Sequence, residues 1–219
     1  MQIRIFKKSL VDQIYDTLRT SIINLERKPG SKLSVAEIQA ELNVSCTPIR
    51  EAVNRLQQDG IITYENNIGA HVVNLDDHDI EEIMQLGNTL HCAAAKLSMT
   101  NNREHLLSDM KAQYKELLDA KTDEEEVLAI HRFIGTFYWN SGNRRLDKSM
   151  SSLRAQQLMV RNMAIKVTEN RCEEIADFEK MITLVEKNDT DGLCQEIEHY
   201  SDKITSKAKS YLKNESKLN

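Results

Sequence analysis

A chain of 219 residues with 40 % apolar side chains and a formal charge of −5 holds enough apolar material for one or two folded domains. No apolar run approaches the roughly 20 residues that a membrane span needs, and the opening MQIRIFKKSL is too short and too charged for a secretory signal. Cys46, Cys92, Cys172 and Cys194 form no CxxC pair, which excludes a zinc ribbon or disulfide framework and suits a reducing, cytoplasmic setting.

In chain order, SLVDQIYDTLRTSIINLE places Leu10, Ile14, Leu18, Ile22 and Leu25 on one face behind a possible Ser9 cap, which predicts a helix over about 9–26. The Pro-Gly turn of RKPGSKL ends it. SVAEIQAEL reads as a short helix capped by Ser34, with Glu37 three residues on completing a capping box. LNV is a tight turn in which Asn43 tolerates a left-handed backbone. VSCTPIREAVNRL then starts a third helix at an Ser45 cap, with Ile49, Val53 and Leu56 forming its apolar stripe. Pro48 fits there because the N–H it lacks would have no intrahelical partner in a first turn. GIITYENNIGAHVVNL gives two strands, about 61–64 and 70–74, joined through Asn66, Asn67 and Gly69. Helix, helix, tight turn, helix, hairpin is the order of a winged helix-turn-helix, an arrangement suited to DNA.

Both prolines lie before residue 75, and the composition breaks near NLDDHD. Residues 1–74 carry nine basic against eight acidic side chains, and the rest twenty against twenty-six, so the N-terminal third alone lacks an acidic bias. The remainder predicts helices over about 77–100, 102–120, 123–140, 143–168, 171–188 and 190–213, with short connections that favour antiparallel packing. The expected fold is therefore mainly α: a winged helix-turn-helix of three helices and a hairpin over 1–75, then an all-α antiparallel bundle of about six helices over 76–214, with 215–219 as a disordered tail.

A recognition helix presents its N-terminal residues to the major groove. Thr47, Arg50 and Asn54 lie off the apolar stripe. Arg50 can bond a guanine edge or clamp a phosphate, or it can pair on the surface with Glu51 or Glu41. The stretch PGSKLSVAEIQAELNVSCTPIREAVNRLQQDGIITYENNIGAHV resembles, without gaps, the winged helix-turn-helix of the GntR family of bacterial transcription regulators. SCTPIREAVxRLxxDG is the most specific part of the match. The length and the helical second part resemble the FadR subfamily, whose C-terminal part is the FCD effector domain.

The resemblance implies a dimeric DNA-binding regulator, not an enzyme, with Ser45, Cys46, Thr47, Arg50 and Gly69 at DNA-contact positions and Lys32 and His71 beside them. It also implies departures. Arginines usual in the family stand here as Ala36, Cys46 and Ile68. Three missing cations predict weaker, less salt-dependent DNA binding or a different operator, unless Arg27, Lys28, Lys32, Arg55 or His71 compensates. Cys46 is read as an altered contact, with a redox-sensitive thiol near a helix N-terminus as the alternative.

In many FCD domains an Asp, a His four residues later and two further His hold a divalent metal. By resemblance these positions are Ile130, Ile134, Phe178 and Tyr200, and an arginine and glutamate of the first helix correspond to Gly87 and His91. The expectation is a metal-free bundle with no cofactor, whose effector pocket, if present, involves Gly87, His91, Ile130, Ile134, Phe178 and Tyr200. Phe133, Phe137, Tyr138 and Trp139 are either its lining or plain core. An apolar or uncharged effector is favoured, since the metal and arginine that hold carboxylates are absent. The alternatives are a domain that only dimerises, or a shifted metal site built from His91, His131 and His199.

Overall fold

The computed structural model describes residues 8–65, 69–168 and 171–218. They fall into two compact units that divide between Asn74 and Leu75. None of the described helices is long and apolar enough to cross a membrane.

The first unit opens with α1, Leu10–Ile23, whose cap Ser9 accepts a hydrogen bond from the Asp12 N–H. Ile14, Leu18 and Ile22 are buried as the spacing predicts, whereas Leu10 is exposed. The helix stops short of residue 26 because Leu25 takes a left-handed backbone, φ 62°. A two-residue strand not anticipated from the sequence, β1 (Lys32–Leu33), precedes α2 (Val35–Leu42). Ser34 caps α2 through the Glu37 N–H at 3.3 Å, without the return bond of a full capping box among the described residues. Asn43 ends α2 in the left-handed region, φ 51° and ψ 47°, and so turns the chain into α3, Cys46–Gln58. Strands β2 (Ile62–Glu65) and β3 (Gly69–Val72) complete an antiparallel sheet of order β1-β3-β2. The predicted turn at Asn66 and Asn67, and Ile68, lie outside the described residues.

Ile49, Ala52, Val53 and Leu56 bury one face of α3 in this unit's core. Arg55 on the flank holds Asp12 of α1 at 2.7 Å and lies 4.1 Å over the Tyr15 ring. Helix α3 is thereby fixed to α1 by packing, an ion pair and a cation–π contact.

The second unit starts with α4, Asp77–Asp119, capped reciprocally by Asp76 and Asp79. The break expected near residue 101 is present as a kink inside it: Asn102 leaves helical geometry at φ −157° and ψ 46°. The Asn101 amide donates to the Ser141 carbonyl at 2.8 Å and the Asn102 amide to Asn140 Oδ1 at 3.1 Å, so the end of α5 (Asp123–Asn140) holds the kink. The single helix expected over 143–168 is two, α6 (Arg144–Ser151) and α7 (Arg154–Ile165). α8 spans Arg171–Glu186 and α9 spans Thr190–Leu218. Residues 215–218, expected as a disordered tail, therefore continue α9, and Asn219 lies outside the described residues.

The bundle core is aromatic and aliphatic. The Phe178 ring meets Phe133 at 4.9 Å and Tyr200 at 4.8 Å, both edge-on. Beside this core runs a layer of buried carboxylates with cationic partners. Glu174 meets Lys207 at 2.6 Å, Asp177 meets Lys203 at 2.6 Å and Glu126 meets Arg171 at 2.8 Å.

Candidate functional site

Two surfaces carry chemistry, one in each unit. In the first, Ser45 sits at the start of α3, exposed, with no side-chain bond to the helix it caps. Its hydroxyl and the open N–H groups of the first turn are free to meet phosphates. Cys46 and Thr47 are the first two helical residues, partly exposed and exposed respectively. Arg50 is exposed one turn on. The competing surface pairing with Glu41 is not made, because Glu41 accepts from Arg27 at 2.7 Å.

Lys32, Arg50 and Gly69 line one groove, together with Asn54, Gln57 and Tyr64. Lys32 reaches it because β1 pairs with β3, opposite His71. His71 turns toward its own strand, its Nδ1 lying 3.2 Å from the Gly69 carbonyl, to which it donates when that nitrogen carries the proton, and it is not part of that lining. Gly69 has φ +103° and nothing within 4 Å of where a Cβ would stand. Its glycine character is thus required by the backbone and not by crowding. Tyr64, 62 % exposed on the wing, was missed from sequence, where its place in a strand gave no sign of which face it takes.

Two of the cations that could compensate for the missing arginines are engaged within the unit. Arg55 is tied to Asp12, and Arg27 to Glu41. Lys28 also has a partner. Lys32 and Arg50 remain as exposed cations of the groove.

The second surface is a cavity of about 310 Å³ between α4, α5, α6 and α7. His91, His131, Ile134, Tyr138, Trp139, Gln157 and three arginines, Arg132, Arg154 and Arg161, are among its lining. Of the six positions inferred from sequence, only His91 and Ile134 line it. Ile130, Phe178 and Tyr200 are buried core. Gly87 lies under Gln157: a Cβ there would stand 1.6 Å from Gln157 Nε2. Of the four aromatics, Tyr138 and Trp139 line the cavity, and Phe133 and Phe137 are core.

His91 Nδ1 lies 2.8 Å from the Tyr138 hydroxyl. Enclosure within the bundle, with Arg161 and His131 close by, pushes the His91 ring down to about 3. The folded protein thus keeps it neutral, while the unfolded chain protonates it near the ordinary value of 6.5. The unfolded state binds the extra proton between those values, so stability falls as pH drops below about 6.5. In urea melts, wild type is expected to lose more stability than His91→Gln between pH 7 and pH 5. Parallel pH profiles would remove His91 as the cause.

The four positions that hold a metal in many FCD domains offer no donor set: three are hydrocarbon and the fourth is a phenol that accepts from Arg161. Among the described residues no three His, Cys, Asp or Glu side chains converge as metal ligands would. The shifted site fails too, because His199 is exposed on α9 and does not line the cavity with His91 and His131.

The model of the bacterial regulatory proteins of the gntR family matches residues 10–72, and that of the FCD domain matches residues 82–202. The chain belongs to the GntR family. Its two parts are the GntR winged helix-turn-helix and the FCD domain, the architecture of the FadR subfamily. It is 31 % identical over 149 residues to the HTH-type transcriptional regulator of the TAR-I ttuE-ttuC′ intergenic region of Agrobacterium vitis, which covers 67 % of this chain and 81 % of that protein. It is 27 % identical over 123 residues to the HTH-type transcriptional regulator YdhC of Bacillus subtilis, covering 55 % of each. The fold is that of E. coli McbR/YncC, with a TM-score of 0.72 at 19 % identity, covering 90 % of this chain and 95 % of that one. These families and relatives are transcriptional regulators, not enzymes. In this GntR chain Ile130, Phe178 and Tyr200 pack as core, and Ile134 lines the cavity.

Proposed function

We propose that this GntR regulator binds operator DNA as a homodimer in the cytoplasm, acts as a repressor, and has its DNA affinity modulated by a small molecule in the FCD cavity. The observation that carries the DNA reading is Arg50, exposed in a groove with Lys32 and the wing and without an ion-pair partner among the described residues. A partnerless guanidinium beside a helix N-terminus suits base edges and phosphates. Two such helices in a dimer would read half-sites about one DNA turn apart.

Binding of the purified protein to fragments of its own promoter region, with footprinting and light scattering, tests this. Two protected half-sites and a dimer mass are expected. A monomer, or no retarded fragment at low salt, would contradict it. Salt titration of the same complex tests the three lost arginines, since each phosphate neutralised adds roughly 0.9 to the slope. The slope is expected to be shallower, by about three units, than in a relative that keeps them.

A further inference from the structure

Two cysteines of the FCD unit, 102 residues apart in the chain, meet in space. Cys92 belongs to α4 and Cys194 to α9. Cys92 Sγ lies 3.7 Å from the Cys194 carbonyl oxygen, and Cys194 Sγ lies 3.9 Å from the Cys92 carbonyl oxygen. The two side chains therefore cross in the seam between the helices, and a hydrogen bond joins their thiols. Both cysteines are unbridged and partly exposed, so a small solute can reach them. A structural zinc takes four ligands, and among the described residues no third His, Cys, Asp or Glu joins the pair as a ligand would.

The two thiols are also unequal. The hydrogen bond from Cys92 brings Cys194 down to about 7, helped by the Lys96 cation and opposed by burial, Asp191 and Glu198. The same bond, burial and Glu198 push Cys92 up, so Cys92 keeps its proton. Cys194 is thus the sulfur that reacts as a thiolate near neutral pH, with a second thiol beside it to resolve the product.

We infer that Cys92 and Cys194 form a reversible redox site, in which a hydroperoxide joins the two sulfurs as a disulfide that staples α4 to α9. The Cys194 thiolate attacks one oxygen of the hydroperoxide. An S–O bond forms, the O–O bond breaks, and the leaving alkoxide or hydroxide takes up the proton that Cys194 lost. The Cys92 sulfur then attacks the sulfenic acid. The S–S bond forms, the S–O bond breaks, and the departing hydroxide leaves as water with the Cys92 proton. Two thiols are oxidised and the hydroperoxide is reduced to an alcohol, or water, and water. A dithiol reverses the step by exchange. In a reducing compartment the pair rests as two thiols, and the disulfide is transient. This site goes beyond the effector reading of the cavity and does not rest on it.

For the test, full-length protein is reduced with dithiothreitol, desalted and treated with hydrogen peroxide at neutral pH. Free thiols are then blocked with N-ethylmaleimide, and peptide masses are read without reduction. Cys92→Ser and Cys194→Ser are treated alongside with dimedone, which traps sulfenic acids, and circular dichroism confirms that all three proteins are folded. Wild type is expected to give a peptide linked through Cys92 and Cys194 within one molecule, lighter by two hydrogen atoms and restored by dithiothreitol. Cys92→Ser, which lacks the resolving thiol, is expected to carry dimedone on Cys194. Cys194→Ser is expected to carry about tenfold less on Cys92. Folded wild type that forms no such link, a link that forms only in urea, or links that join only separate molecules overturns the inference. So does equal dimedone labelling of Cys92 and Cys194 in the two variants.

Discussion

Phe178→Ala is expected to destabilise the FCD unit by about 3–5 kcal/mol, the usual cost of deleting a buried aromatic ring. Phe178 is buried, and its edge contacts with Phe133 and Tyr200 leave its space walled by other rings. Those two rings are held on different helices, α5 and α9, so the cavity cannot close by a simple shift of one side chain. Phe178→Leu keeps most of the volume and is expected to cost much less. Urea unfolding followed by circular dichroism reads both. A Phe178→Ala cost below about 1 kcal/mol would mean that this position is not packed core, which would reopen the question of what occupies the family's metal positions in this chain.

Lys207→Met is expected to cost a similar amount, about 3–5 kcal/mol, for a different reason. Glu174 is buried, and its cation is Lys207 at 2.6 Å, with Thr168 as a further hydrogen-bond partner of both. Removing the lysine leaves a buried carboxylate with only the Thr168 hydroxyl to satisfy it among the described residues. Removing both charges together, in Lys207→Met/Glu174→Leu, should restore most of the loss, because a buried pair is often no more stabilising than apolar residues of similar size. The double-mutant cycle gives the interaction directly. Additive single and double costs would show that Glu174 does not depend on Lys207.

The parts of this molecule that local chemistry dictates were legible in the sequence. Asn43 in the left-handed region, Ser34 and Ser9 as caps, and Pro48 in the first turn of α3 all follow from neighbours within four residues. The break near Asn102 was expected at its position, but the bonds that hold it run to Ser141 and Asn140 at the end of α5. What needed distant partners was not legible. The two residues of β1 are a strand only because β3 lies beside them. No proline or glycine marks the division of α6 from α7, and Ser151 and Ser152 gave too weak a signal. Arg55 and Arg27 read as free cations until α1 and α2 bring Asp12 and Glu41 to them. The cavity shows the same limit. Matching to the family's landmarks pointed to Ile130, Phe178 and Tyr200, which pack as core, and to Ile134, which lines the cavity. The open space lies toward α6 and α7, where Arg154 and Arg161 had given no local sign of facing inward.

DNA recognition through Arg50 is the centre of this account, and the binding of Arg50→Ala to operator and to unrelated DNA tests it most directly. The side chain is exposed and touches no partner among the described residues, so the variant should melt at the wild-type temperature. Its operator affinity is expected to fall by about 1–3 kcal/mol, and its affinity for unrelated DNA by clearly less. Operator affinity equal to that of wild type, measured by fluorescence anisotropy at the same salt, would show that α3 does not read DNA as described.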